Sequence, residues 1–144
     1  MKNYRICIKT TAVFQFITAA THAISLFATP TPGNETEKQL YNLMSTYQFD
    51  LGVGFHRTMD QLTLTLSACL CLLCLLAGLI NFYLVKRVGA DIIKGIININ
   101  LLVFGILFIL TAVFAFILPI VQVGVILLCL IVTRIILQKN SGTL

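Results

Sequence analysis

Cys71 and Cys74 form a C-x-x-C pair, with Cys69 beside them and Cys7 and Cys129 remote in the chain. That spacing serves thiol exchange where water and a stabilised thiolate are present. His22 stands alone in an apolar stretch, and Phe55-His56-Arg57-Thr58-Met59-Asp60-Gln61 is the densest polar run. On a helix, Asp60 would reach His56 four residues away or Arg57 three away. Such a pair can simply anchor a helix end. The functional alternative uses the planar guanidinium of Arg57, which suits phosphate or carboxylate. His22, His56, Arg57 and Asp60 are the candidate ligand-binding residues. The two histidines would also be the acid and base of a membrane-embedded enzyme acting on a lipid or quinone. Glycine-rich phosphate loops, H-E-x-x-H pairs and nucleophile elbows are absent from the chain. Four converging zinc ligands cannot be assembled from its spacing without burying thiolates in lipid, so no metal and no cofactor is expected.

The elements that must carry these residues follow from composition. Of 144 residues, 58% are apolar and 10% charged, and the mean hydropathy is +0.98. So small a domain cannot hide that apolar excess in a core, which excludes a water-soluble globule. The net charge of +5 is not gathered into a basic patch with interleaved aromatics, so no nucleic-acid partner is expected. A hydrocarbon layer of about 30 Å needs about 20 helical residues. Stretches near 11 to 28, 62 to 85, 96 to 118 and 120 to 137 meet or approach this length. Backbone polar groups in lipid need internal partners, which makes helices of all four. The expected fold is all-α: a transmembrane four-helix bundle forming a single domain over residues 1–144, with Pro119 at the turn between the last two spans.

Basic residues near span ends stay on the cytoplasmic side. Lys2, Arg5, Lys9, Lys86, Arg87, Lys94, Arg134 and Lys139 fall on one side of this arrangement, where Asp91 is the only acid. Both termini should therefore face the cytoplasm. A cleavable signal peptide is the rival account of the first span, although cleavage after Ala28 would put Leu26 where a small residue is wanted.

Residues 29 to 61 lie outside the membrane in this scheme and are too long for a simple turn. Pro30, Pro32 and Gly33 break the first helix, and Asn34 with Glu37 resembles a capping box that starts another. Leu40, Leu43, Met44, Tyr47 and Leu51 recur at helical spacing until Gly52 and Gly54. The pattern predicts an outer amphipathic helix in the first loop, resting on the membrane surface or covering the bundle as a lid or gate.

Within the first span Thr11, Gln15, Thr18, His22 and Ser25 share one face, and Ser67, Cys71, Cys74, Gly78 and Asn81 do so in the second, preceded by Asp60 and Thr63. The third span offers Asn98, Gly105 and Ala112, the fourth Gln122, Cys129 and Thr133. Small and polar seams of this kind pack helices together in lipid. The cysteines read as packing residues, since the C-x-x-C lies mid-membrane on a continuous helix and residues 29 to 61 contain no exchanging cysteine. His22, ionisable within a span, marks a site or a neutral interhelical hydrogen bond.

Ala19, Ala20 and His22, then Met44 to Phe49, then Gly54, Arg57 and Thr58, resemble a family of small uncharacterised four-helix bacterial integral membrane proteins, over residues 12 to 80. A small aromatic region after the arginine in that family is Met59-Asp60-Gln61-Leu62 here. The resemblance implies a protein of the cytoplasmic (inner) membrane and supplies no activity. The function expected is non-catalytic: binding a lipid-like ligand or supporting a membrane complex, with membrane lipids, a second copy or another membrane protein as partners. A lipid- or quinone-directed enzyme and a small transporter subunit are the alternatives.

Overall fold

The computed structural model describes residues 3–28, 31–50 and 52–141, so that Lys2, Pro30 and Leu51, which carry expectations above, lie outside the described residues. The order of elements is α1 (Asn3–Ser25), α2 (Glu35–Thr46), β1 (Gln48–Asp50), β2 (His56–Thr58), α3 (Met59–Leu84), α4 (Ala90–Phe114) and α5 (Ile117–Ser141). Among the described residues the regular structure is all-helical apart from one small hairpin. It divides into two compact units, Ala20–Leu72 and the remainder.

Among the described residues, three helices are long and apolar enough to cross a membrane: Met59–Leu84, Ala90–Phe114 and Ile117–Lys139. The expectation of four such spans is met in part, because α1 is not in this set. Its 23 residues would reach about 35 Å at about 1.5 Å per residue. Lys9, Gln15, His22 and four threonines dilute its hydropathy. Its buried residues mix Thr11, Gln15 and Thr18 with Tyr4, Ile8, Ala12 and Ala19, while Val13, Ile17 and Ile24 are exposed beside Arg5, Lys9 and Thr10.

In the larger unit α4 and α5 pack as an antiparallel pair. The turn is at Ala115 and Phe116, where the Ala115 N–H donates to the Thr111 carbonyl at 2.9 Å. Pro119 is therefore not the turn residue expected; it sits in the first turn of α5. An N–H there has no intrahelical acceptor to lose, so proline is tolerated. Gly124 admits the Phe108 ring, since a Cβ there would stand 3.2 Å from it. The buried face of α4 is Ile93, Ile97, Asn100, Phe104 and Thr111. The expected seam of Asn98, Gly105 and Ala112 is not that face, and Asn98 and Ala112 are exposed. A helix apolar on every side carries too little polar contrast to announce which side packs.

In the unit Ala20–Leu72, α2 starts as expected: Asn34 Oδ1 accepts from the Glu37 N–H at 2.9 Å, and Glu37 Oε2 accepts from the Gly33 N–H. It ends at Thr46, five residues before the Leu51 to which the spacing ran. Gln48–Asp50 then pairs antiparallel with His56–Thr58, Phe49 opposite Arg57 and Asp50 opposite His56. Thr58 and Gln61 make a reciprocal capping box, Gln61 Oε1 accepting from the Thr58 N–H at 3.2 Å and Thr58 Oγ1 from the Gln61 N–H at 3.3 Å. That box starts α3 at Met59, so His56 and Arg57 are not on the same helix as Asp60, and the expected helical ion pair is not formed.

The hairpin loop runs Gly52, Val53, Gly54 at φ of 84°, 52° and 79°. A β-branched residue in the left-handed region costs about 1–2 kcal/mol. Val53→Gly should therefore stabilise the hairpin by about 1 kcal/mol, slowing amide exchange across β1 and β2 about fivefold. Unchanged exchange would contradict the strained turn.

Candidate functional site

The unit Ala20–Leu72 contains an open cavity of about 350 Å³. Ser25 at the end of α1, with Leu26 and Ala28 beyond it, lines one part; Tyr41 and Met44 come from α2; Asp60, Thr63, Leu64 and Ser67 come from α3. The α3 residues recur at helical spacing and share one face. Asp60 is the second residue of α3, where a carboxylate also complements the helix dipole. The lining is mixed, five side chains bearing a hydroxyl or carboxyl and four being apolar, which suits an amphipathic molecule more than a sugar or a free ion.

Of the four residues singled out in the sequence, Asp60 alone lines this cavity. Arg57 is exposed on β2, with its Nη1 donating to the His56 carbonyl at 2.8 Å and its guanidinium 5.8 Å from the Phe55 ring centre. His56 is exposed on the same strand. His22 lies half-buried in the last turn of α1, where its carbonyl accepts from Ser25 Oγ at 2.7 Å. Ser25, Thr63 and Ser67 were visible as members of the polar seams. Tyr41 was not singled out, although its spacing of three from Met44 places both on one side of α2.

Beside the cavity, Leu40, Leu43, Tyr47, Phe49 and Met59 line an apolar groove of about 380 Å³ formed by α2 and the hairpin. Met44 is a wall of both. The Tyr47 and Phe49 rings meet edge to face at 5.1 Å. Leu40 and Leu43 remain exposed, which gives α2 an uncovered apolar face.

The larger unit holds a different polar constellation. Gln15 of α1, Asn81 of α3 and Asn100 of α4 are buried together. Asn81 Nδ2 donates to Gln15 Oε1 at 2.9 Å and lies 3.4 Å from Asn100 Oδ1, which also accepts from Gln15 Nε2 at 3.4 Å. Asn100 Nδ2 donates to the Ile96 carbonyl at 2.9 Å, while Asn81 Oδ1 is buried without a partner. These amides tie three helices in a buried interior, where no water competes for their hydrogen bonds. The threonine hydroxyls of the seams behave differently: Thr11, Thr18 and Thr133 each donate to the carbonyl four residues back in their own helix. One turn from Asn81, Gly78 faces the Phe16 ring, itself edge-on to Phe82 at 6.5 Å. On the α4 and α5 pair, Arg134 Nε donates to Asn98 Oδ1 at 2.7 Å.

No disulfide joins the five cysteines; Cys71 and Cys74 lie on α3, and Cys74 is fully buried. No protein-family model, curated protein or solved structure matches the chain.

Proposed function

We propose that the chain is a multi-pass protein of the cytoplasmic (inner) membrane that holds one lipid-like molecule without transforming it. In this reading α1 joins α3, α4 and α5 as a fourth span, forming a four-helix bundle with both termini in the cytoplasm, as in the small bacterial family that the sequence resembles. The hydrogen bonds of the buried Gln15 to Asn81 and Asn100, with Val13, Ile17 and Ile24 exposed on α1, support that count. The distribution of basic residues supports the orientation. The exposed Leu40 and Leu43 suit an outer helix resting on the lipid interface.

The observation that carries the binding role is the cavity of about 350 Å³ with its mixed lining, within the size range of small-molecule sites. An open mouth and apolar walls let a tail leave the cavity along the lipid while a polar head meets Ser25, Tyr41, Asp60, Thr63 and Ser67.

The test is cavity filling. Because the chain has no tryptophan, Ser67→Trp both blocks the cavity and reports on its surroundings by fluorescence. Lipid extracted from the purified wild-type protein and measured by mass spectrometry should be stoichiometric. In Ser67→Trp it should fall on the order of tenfold, the equivalent of about 1.4 kcal/mol. His22→Leu should leave capture unchanged, since His22 does not line the cavity. Full capture by Ser67→Trp would remove the cavity from the proposal, and loss of capture in His22→Leu would move the site.

A further inference from the structure

We infer that the molecule bound in this cavity carries a positively charged head, selected by Asp60; this rests on the binding role proposed above. Asp60 is the one charged side chain among the described residues of the lining. The basic groups of the same unit are placed elsewhere: Lys38 Nζ is 3.4 Å from Glu35 Oε1, and the Arg57 guanidinium is held over Phe55 and on the His56 carbonyl. Neither His22 nor His56 lines the cavity. A carboxylate beside the apolar walls of Leu26, Met44 and Leu64 therefore acts without an internal counter-ion.

The neutral groups around it suit the same head. Ser25, Thr63 and Ser67 hydroxyl oxygens can accept hydrogen bonds from an ammonium, and the Tyr41 ring offers a π-face to a quaternary one. A phosphate or sulfate head would meet the Asp60 charge with no cation to offset it. The ligand class is thus an amphiphile with an ammonium head and an aliphatic tail. This reverses the expectation of an anion held by Arg57, because the strand pairing removes Arg57 from the lining and the capping box puts Asp60 in it.

The experiment uses the full chain in phosphatidylcholine nanodiscs and three probes sharing a dodecyl tail: dodecyltrimethylammonium, dodecyl maltoside and dodecyl sulfate. Binding to wild type should rank cation over neutral over anion, with on the order of tenfold between cation and neutral. Asp60→Asn, which keeps a polar side chain at the helix N-terminus, should abolish the preference for the cation while leaving maltoside binding in place. Asp60→Glu should keep the ranking, which separates loss of charge from loss of fold. Equal binding of the three probes by wild type, or a ranking that survives Asp60→Asn, would overturn the charge selection and leave the cavity proposal standing. Binding of every probe unaltered by Ser67→Trp would overturn the cavity proposal and this inference with it.

Discussion

Gly78→Val is expected to lower the stability of the folded chain in detergent by about 3 kcal/mol, at the upper end for overpacking a core. A Cβ at position 78 would stand 2.7 Å from Phe16 Cε1 and 3.0 Å from Cδ1. Phe16 has little room to yield, since its ring also packs edge-on to Phe82. Small residues at helix contacts in lipid earn their place by letting backbones approach, and here the approach is filled by one aromatic ring. Reversible unfolding in SDS would measure the loss. Phe16→Ala combined with Gly78→Val should recover more than half of it, giving a favourable coupling above about 1 kcal/mol in a double-mutant cycle. Additive losses would show that the two positions do not meet.

The second large effect concerns the amides. Gln15→Leu should destabilise by about 1–3 kcal/mol, beyond the average of about 0.6 kcal/mol for an interhelical hydrogen bond, because it strips partners from Asn81 and Asn100 together. The decisive comparison is the triple replacement of Gln15, Asn81 and Asn100 by Leu. If the cost of Gln15→Leu is that of orphaned amides, the triple variant regains most of the stability lost, since no buried donor or acceptor then lacks a partner. A triple variant less stable than Gln15→Leu would show that the amides contribute more than their mutual satisfaction.

Much of this architecture could be read from residue types. The lengths of α3, α4 and α5 follow from unbroken apolar runs, and the start of α2 from Asn34 and Glu37. Gln15 and Asn81 stood out because a carboxamide in an apolar run is costly unless paired. Their third partner did not, because Asn98 and Asn100 are two residues apart and nothing in an all-apolar helix says which faces inward. The hairpin was missed for a reason of scale. Three-residue strands leave no periodicity, and Leu40, Leu43 and Tyr47 continue the helical spacing into the segment where the hairpin begins. Thr58 and Gln61 were a legible signal: a capping box marks where α3 starts and so places Asp60, not Arg57, on that helix. The cavity itself was beyond reach, since it depends on side chains from three segments that no spacing rule relates.

The buried Gln15 of α1 also bears on the order of events during synthesis. α1 leaves the ribosome before α3 and α4, and in hydrocarbon its Gln15 carboxamide has nothing to bond with until Asn81 and Asn100 have been made. On the proposed four-span reading, α1 gains these hydrogen bonds only from helices synthesised after it. The cluster that ties α1 to α3 and α4 is therefore complete only once the segment carrying Asn100 has been synthesised.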